Sequence, residues 1–341
     1  MIIVLRPNTS IEQVKEVKDH VVELGYSPRV IKGVERTVIA AVGDELSHRS
    51  LETLMGMEAI ENVVPIQKRY KLASREFHPA NTVVDINGCR LGGGHFQVIA
   101  GPCSLESREQ LEQAVRDMQP GGVNLIRAGV YKPRTSPYDF QGLGDDGLAI
   151  LADVKAEFGV SVVSEVLAVT KVPKAAEVVD VIQIGARNCQ NYNLLEVVAD
   201  AGRPVLLKRG MATTVEEWLS AAEYLIVHGC RDVILCERGI RTFETATRGT
   251  LDISAVAVAK SATHLPVVVD PSHAAGVQSL VPALARAAVA VGADGVLIEA
   301  HPNPLSALSD AAQQLPSNRI PALVDELRPF VELTGKTMEC N

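Results

Sequence analysis

Four side chains of the types that bind transition metals follow apolar runs in this sequence. They are Cys103 in IAGPCSLES, His273 in VVVDPSHAAG, Glu299 in VLIEAHPNP and Asp310 in LSALSD. One thiolate, one imidazole and two carboxylates form a ligand set for a divalent transition metal such as Mn²⁺, Fe²⁺, Co²⁺ or Zn²⁺. Such a mixed set with an open position suits a Lewis acid that polarises a carbonyl group. A single cysteine after a strand is more often a core thiol, so the metal hypothesis depends on all four residues lying together.

A second group of residues is cationic and also follows apolar runs. Its members are Arg127, Lys132, Arg134, Arg187, Lys208, Arg209 and Arg238. Arginine binds phosphate or carboxylate through two parallel hydrogen bonds, whereas lysine acts as a point charge. Because the chain has a net charge of −8, the convergence of these cations predicts a ligand with more than one anionic group.

The stretch VYKPRTSPYDFQGLG contributes two of these cations, Lys132 and Arg134. Thr135 and Ser136 add neutral donors, and the flanking prolines, which include Pro133, limit motion of the backbone. Lys208, in PVLLKRG, has an alternative role as a Schiff-base lysine. We favour an anion-binding role for it, because a pocket filled with anions keeps the amine charged.

Composition and charge exclude several classes of function. A net charge of −8 does not provide the basic face that nucleic acids require, so no nucleic-acid partner is expected. No stretch approaches about 18 apolar residues, and Arg6 and Pro7 end the first apolar run, so neither a membrane span nor a signal peptide is expected. We therefore expect a cytoplasmic protein whose six scattered cysteines are thiols.

Short apolar runs recur from residue 97 onward, with helical patterns such as TVEEWLSAAEYLIVHG between them. The eight runs are QVIAG, VNLIRAG, VSVVSE, DVIQIGA, PVLLK, DVILC, PVVVD and DGVLIEA. Alternating strands and helices indicate a parallel sheet, and eight units over about 240 residues fit an α/β fold of the (β/α)₈ TIM-barrel type. An open doubly wound sheet is the alternative, but no GxGxxG follows the first strand. Chemistry in a barrel lies where the strands end, which is where the metal-type and cationic residues stand.

The segment before the barrel has a different organisation. Residues 1–66 show the strand–helix–strand–strand–helix–strand order of a ferredoxin-like domain, with a short helix near Arg49–Met55. Residues 67–96 are more polar, and Asn87-Gly88 between apolar stretches predicts a tight hairpin that closes the barrel floor. The barrel then occupies residues 97–341.

These motifs resemble the 3-deoxy-D-arabino-heptulosonate 7-phosphate (DAHP) synthase family across essentially the whole chain. The matching blocks are IAGPCSLES, KPRTSPYDFQGLG, QIGARN, LLKRG, CERGIRTFE, TLDISAV, VDPSHAAG and ALSD, in the family's order. The N-terminal unit resembles the ferredoxin-like domain of the type Iβ subgroup. The related 3-deoxy-D-manno-octulosonate 8-phosphate synthases typically have KANRTS where this chain has KPRTS, so the octulosonate synthase is the alternative enzyme.

The resemblance implies a role for each candidate residue. Cys103, His273, Glu299 and Asp310 correspond to the metal ligands. The phosphoenolpyruvate contacts correspond to Arg127, Lys132, Ala186, Arg187, Lys208 and Arg238. The erythrose 4-phosphate site corresponds to Pro133, Arg134 and Thr135. Lys132 lies between both substrates and is the expected proton donor, while Glu165 either orients water or Lys132 or forms a structural ion pair.

The resemblance also implies metal-dependent condensation of the two substrates, the first step of the shikimate pathway, and a homotetramer. Feedback inhibition by tyrosine or phenylalanine at the N-terminal domain is a further implication. The second strand reads Arg29, Val30, Ile31, where inhibited relatives use polar side chains, so the inhibitor site departs from the family pattern. A barrel that has lost catalysis and acts as an amino-acid-sensing regulator is the alternative from another class.

Overall fold

The computed structural model describes residues 1–32, 37–43, 50–64, 69–134 and 136–340. The chain divides into two compact units, Met1–Arg69 and Tyr70–Asn341.

The first unit is a four-stranded antiparallel sheet with one long helix. Its elements are β1 (Ile2–Leu5), α1 (Ile11–Glu23), β2 (Ser27–Lys32), β3 (Thr37–Val42), a 3₁₀ helix (Leu51–Gly56) and β4 (Ile60–Val64). The strand order β2-β3-β1-β4 is that of the ferredoxin-like plan. Ser10 and Gln13 form a capping box that starts α1. The expected ferredoxin-like domain is confirmed, although its second helix is a single 3₁₀ segment and Arg49, where we expected it to begin, lies outside the described residues.

A two-stranded hairpin precedes the barrel in the second unit. It consists of β5 (Val84–Ile86) and β6 (Cys89–Leu91). Asn87 and Gly88 have positive φ angles of 51° and 91°, which the turn between two twisted strands requires. Apolar residues of both hairpin strands pack against barrel-interior residues such as Leu125 and Val181. The hairpin therefore covers one end of the barrel interior.

Eight parallel strands close the barrel. They are β7 (Gln97–Gly101), β8 (Leu125–Arg127), β9 (Ser161–Val166), β10 (Val181–Ile184), β11 (Val205–Lys208), β12 (Val233–Glu237), β13 (Val267–Val269) and β14 (Gly295–His301). Each pairs with the next, and β14 pairs with β7 from Gly295↔Gln97 to Glu299↔Gly101. The predicted (β/α)₈ barrel is confirmed, with one strand in each of the eight apolar runs. Every barrel-strand residue is buried, as expected when helices cover the outside and side chains fill the interior.

Helices connect the strands. They are α2 (Arg108–Met118), α3 (Asp145–Phe158), α4 (Val172–Val178), α5 (Tyr192–Asp200), α6 (Val215–Val227), α7 (Ile253–Ala262), α8 (Pro271–Ala275), α9 (Val281–Ala290) and α10 (Ile320–Leu333), the last preceded by a two-residue strand β15 (Leu315–Pro316) beside β14. Among the described residues, no helix combines the length and apolar character needed to cross a membrane.

The structure corrects the prediction that all six cysteines are thiols. Cys89 on β6 forms a disulfide with Cys340, at a sequence separation of 251 residues. The two meet because the final segment runs beside the hairpin, where Thr337 pairs with His95 and the Glu339 carbonyl accepts a hydrogen bond from Gln97. No local pattern reveals this contact. Closing so long a loop stabilises a folded chain by about 2–5 kcal/mol.

Candidate active site

A cavity of about 360 Å³ opens at the C-terminal ends of the barrel strands. Seven lysine and arginine side chains line it, namely Lys132, Arg134, Arg187, Lys208, Arg238, Arg241 and Arg248. Three carboxylates, Asp139, Glu165 and Asp310, also line it. In this acidic chain the cavity is therefore locally cationic, and it suits a ligand with several negative charges.

One part of the cavity wall is built by the ends of β9 to β11. Lys208 is the last residue of β11, and Ala186 and Arg187 begin a 3₁₀ turn directly after β10. A Cβ atom on Gly185 would lie 1.9 Å from Glu165 Oε1, so only glycine allows this approach of the β10 loop to the β9 carboxylate. Glu165 Oε2 accepts a hydrogen bond from Gln183 Nε2 at 3.3 Å.

Three of the four expected metal ligands form a compact cluster at the edge of the cavity, which Asp310 also lines. The donor atoms of Cys103, Glu299 and Asp310 all lie within 4.8 Å of one another. The fourth residue, His273, has its Nε2 3.5 Å from Glu299 Oε1 and 3.9 Å from Asp310 Oδ2. The spacing of Cys103, Glu299 and Asp310 suits three ligands of one ion, with bonds of about 2.0–2.3 Å, and His273 adjoins two of them. The structure thus brings together residues that lie up to 207 positions apart in the sequence.

The electrostatics of the cluster suit a cation. Burial, reinforced by the charge of Glu299, raises the pKa of the Cys103 thiol to about 12. Burial lowers the pKa of His273 and so favours the neutral imidazole, the form that binds metals. Burial also opposes ionisation of Glu299, but the neighbouring His273, Arg127 and Lys132 hold its pKa below the usual range. A divalent ion would favour the thiolate and neutralise the carboxylates, and the donor set therefore fits a transition metal.

Lys132 lies between the cluster and the cavity. Its Nζ is 3.1 Å from both the Sγ and the carbonyl oxygen of Cys103. Burial alone would lower the pKa of Lys132, but Cys103, Glu299 and Glu165 raise it above the usual lysine value. The protonated form of Lys132 is therefore favoured in this environment.

Arg127, expected among the substrate contacts, is bound to two residues of the metal-type cluster. Its Nη1 donates to Glu299 Oε1 at 2.6 Å and its Nη2 to the Cys103 carbonyl at 3.4 Å, while its buried Nε has no hydrogen-bond partner among the described residues. Arg127 is absent from the described cavity lining. In this structure it orients a carboxylate of the cluster.

The KPRTS loop contributes Pro133 and Arg134 to the cavity wall. Arg134 pairs with Asp139, with an Nη2–Oδ2 distance of 3.2 Å. Thr135, expected beside them, lies outside the described residues. Arg209 does not face the cavity, because its Nη1 pairs with Glu237 at 2.9 Å and Asp252 at 3.0 Å. The expectation that it converges with the other cations was therefore wrong.

Five residues in or beside the site were not among the sequence predictions. They are Asp270, Met211, Arg241, Arg248 and Gln313. Arg248 Nη1 bonds to Gln313 Oε1 at 2.7 Å and lies 3.2 Å from Asp310 Oδ2, and Gln313 Nε2 donates to Glu299 Oε2 at 2.6 Å. Asp270 stands in VDPSHAAG and Arg241 in CERGIRTFE, two stretches that were recognised as motifs, so position within a motif was an available signal for these two.

Comparison with known proteins identifies the family. Residues 79–331 match the DAHP synthetase I family, and residues 1–68 match the DAHP synthase ferredoxin-like domain. Phospho-2-dehydro-3-deoxyheptonate aldolase of Thermotoga maritima is 47% identical over 335 residues, which cover 98% of this chain and 99% of the relative. A 2-dehydro-3-deoxyphosphooctonate aldolase of Azoarcus sp. is 35% identical over 260 residues, 69% of this chain and 91% of the relative.

Solved structures agree with this assignment. The crystal structure of DAHP synthase from Thermotoga maritima matches with a TM-score of 0.94 and 46% identity, and the match covers 99% of each chain. A truncated form of 3-deoxy-D-arabino-heptulosonate 7-phosphate synthase from Thermotoga maritima matches with a TM-score of 0.75 and 46% identity, over 80% of this chain and 100% of its own. The resemblance seen in the motifs is confirmed. The chain belongs to the DAHP synthetase I family, a family of C–C bond-forming transferases, and carries that family's ferredoxin-like domain.

Proposed function

We propose that this chain uses the barrel-mouth cavity to condense phosphoenolpyruvate with erythrose 4-phosphate and water, which gives DAHP and phosphate. The observation that supports this most is the adjacency of two features. A cavity lined by seven cationic side chains lies against the buried Cys103 and Glu299 and the half-buried His273 and Asp310. Two phosphorylated substrates need the first feature, and an aldehyde that must be activated needs the second.

Each candidate residue has a separate role in the proposed reaction. Arg187, Lys208 and Arg238 hold the phosphate and carboxylate of phosphoenolpyruvate, with the backbone of Ala186 beside the phosphate. Lys132 donates a proton to the aldehyde oxygen as C3 of phosphoenolpyruvate attacks the aldehyde carbon. Water then adds at C2, and phosphate leaves with cleavage of its C–O bond. Glu165 orients that water or Lys132.

Cys103, His273, Glu299 and Asp310 are the residues that would hold Mn²⁺, Fe²⁺, Co²⁺ or Zn²⁺. When bound, the ion supplies Lewis-acid polarisation of the aldehyde carbonyl. Arg127 orients Glu299 through the ion pair between its Nη1 and Glu299 Oε1 at 2.6 Å. Lys208 forms a buried ion pair with Asp270, also at 2.6 Å, and this pairing supports anion binding over a Schiff-base role.

The octulosonate synthase activity is the alternative, because the 2-dehydro-3-deoxyphosphooctonate aldolase of Azoarcus sp. matches 69% of this chain. The KPRTS sequence and the N-terminal match at residues 1–68 favour the heptulosonate synthase. An assay with phosphoenolpyruvate and either erythrose 4-phosphate or arabinose 5-phosphate decides between them. Turnover of the five-carbon sugar alone would refute the proposal, and turnover of neither would favour the non-catalytic regulator.

We expect Arg134→Ala to weaken erythrose 4-phosphate more than phosphoenolpyruvate. Arg134 lines the cavity beside Pro133, and Thr135 completes the proposed phosphate site. Loss of a charge-assisted contact costs about 1.5–3 kcal/mol, which raises KM for the aldehyde roughly 10- to 100-fold. Steady-state kinetics with each substrate varied in turn measures the two KM values.

Asp139→Ala is the matched control for this variant, because it removes the 3.2 Å Arg134–Asp139 pair while it leaves the guanidinium in place. We expect its KM for the aldehyde to change less than threefold, within about 0.7 kcal/mol. Equal increases of KM in both variants would show that Arg134 acts only through its ion pair.

We further propose that residues 1–66 form a regulatory domain, residues 67–96 a linker and capping hairpin, and residues 97–341 the catalytic barrel. Tyr70 is part of the buried core of the second unit, and the Leu72 and Ala73 amides donate to Glu223. A truncated protein that begins at Tyr70 is therefore expected to fold and to condense both substrates. If tyrosine or phenylalanine inhibits the full-length chain, the truncated protein should be insensitive.

Titration of both proteins with each amino acid tests this division, with leucine as the control ligand. Coupling between an effector site and a catalytic site is typically about 1–3 kcal/mol, so a loss of inhibition is easily measured. Equal inhibition of the two proteins would place the effector site on the barrel.

We also propose that the protein is a cytoplasmic homotetramer, as the family resemblance implies. Sedimentation equilibrium measures the mass of the assembly.

A further inference from the structure

One fully buried carboxylate lies behind two functional side chains of the cavity. Asp270 follows β13, and its Oδ2 accepts hydrogen bonds from Lys208 Nζ at 2.6 Å and from His273 Nδ1 at 2.7 Å. Its Oδ1 accepts from the backbone N–H of His273 at 2.9 Å. Asp270 is 0% exposed and so does not meet a ligand directly.

The two partners belong to different parts of the proposed function. Lys208 ends β11 and His273 lies on α8, yet both line the cavity. The bond from Nδ1 to Asp270 fixes the proton on that nitrogen, and it leaves the lone pair of Nε2 directed towards Glu299 and Asp310. Hydrogen bonds of this kind orient a metal-binding imidazole and increase its basicity.

We propose, on the basis of the function proposed above, that Asp270 is a positioning residue that serves the metal cluster and the phosphoenolpyruvate subsite together. It selects the His273 tautomer that can bind an ion, and it holds the Lys208 ammonium group at the cavity wall. Since one oxygen accepts both hydrogen bonds, removal of its charge disturbs the two subsites at once.

Asparagine at this position cannot replace the carboxylate. Its single oxygen is able to satisfy either the His273 amide or the side-chain donors, whereas the carboxylate satisfies both. An amide N–H directed at His273 Nδ1 would also force the proton onto Nε2, the nitrogen that faces the cluster. Asp270→Asn should therefore weaken metal binding as well as anion binding.

Asp294 provides a matched control in the same barrel. It is 1% exposed, and it accepts hydrogen bonds from Lys260 Nζ at 2.6 Å and from the Val267 amide at 2.8 Å. Its other lysine partner is Lys336, at 3.0 Å. Asp294 thus shares the burial and the lysine and backbone contacts of Asp270, but its partners do not line the cavity. A purely structural role predicts the same consequences for Asp270→Asn and Asp294→Asn.

The experiment measures binding in the full-length protein without turnover. Electron paramagnetic resonance of free Mn²⁺ gives the metal affinity, and quenching of Trp218, whose indole donates to the Leu207 carbonyl beside Lys208, gives the phosphoenolpyruvate affinity at saturating Mn²⁺. We expect Asp270→Asn to raise the Kd for Mn²⁺ about 10- to 100-fold and that for phosphoenolpyruvate about 10-fold. Asp294→Asn should lower the melting temperature while both Kd values stay within about twofold of wild type.

Wild-type Mn²⁺ affinity in Asp270→Asn, or equal losses in both variants, would overturn the inference. Absence of Mn²⁺ binding by the wild type would instead overturn the metal site itself and the inference with it.

A second measurement does not depend on the folding of a variant. The ¹⁵N chemical shifts of His273 in the metal-free wild type should show the proton on Nδ1, and a proton on Nε2 would contradict the role of Asp270.

Discussion

Removal of the divalent metal, or replacement of Cys103 by serine, is expected to reduce turnover by about three orders of magnitude or more. Polarisation of a carbonyl by a metal contributes several kcal/mol to transition-state stabilisation, and about 4 kcal/mol corresponds to 1000-fold. Serine places a poor ligand where Cys103, Glu299 and Asp310 lie within 4.8 Å of one another. The remaining carboxylates would then hold a transition metal less tightly, because a hydroxyl does not ionise as a thiol does.

The experiment measures both the metal content of the protein and its turnover rate. Chelator-treated enzyme should be inactive, Mn²⁺ or Co²⁺ should restore it, and Cys103→Ser should retain little metal after gel filtration. Cys230→Ser is the matched control, since Cys230 is also buried and its Sγ donates to the backbone carbonyls of Arg203 and Asp232, which do not line the cavity. Full activity of metal-free enzyme would contradict the assignment.

Much of the barrel and of the cavity could be predicted because both depend on local patterns. Buried strands produce continuous apolar runs, and the barrel places the residue after each run at one rim. Cys103, Lys132, Lys208 and His273 were found in this way. The same rule misplaced Arg209, because consecutive side chains at a strand end point in different directions. Arg209 turns to Glu237, whereas its neighbour Lys208 lines the cavity.

Features that depend on contacts between distant residues were not predictable. The motif VDPSHAAG contains Asp270, but the 2.6 Å contact of Asp270 with Lys208, 62 residues earlier, is visible only in the structure. The Cys89–Cys340 disulfide requires the path of the last segment beside the hairpin. Arg127 has the same local sequence signal as a cavity residue, but its ion pair with Glu299 is visible only in the structure. Each of these features is set by tertiary packing, which no periodicity in the chain encodes.

Replacement of Lys132 by methionine should lower kcat by about 10²- to 10⁴-fold, the usual contribution of a general acid. Methionine keeps the bulk of the buried stem but removes the ammonium group that lies 3.1 Å from Cys103 Sγ. The Kd for Mn²⁺ must be measured in parallel, because the lost cation also borders the metal cluster. A fall in kcat at saturating Mn²⁺ and saturating substrates then reports the chemical step.

Lys132→Arg separates proton delivery from charge. Arginine retains the cation but does not release its proton in proteins, so we expect it to lose at least about 100-fold in kcat if Lys132 is the general acid. The raised pKa of Lys132, which Cys103 and Glu299 maintain against burial, means that the protonated acid persists through neutral pH. Deprotonation of Lys132 should therefore reduce activity only above the usual lysine range. The kcat of the wild-type enzyme should show no decrease between pH 7 and 9 that is caused by Lys132. Near wild-type kcat in Lys132→Arg would show that Lys132 supplies charge alone and that the proton reaches the alkoxide by another path.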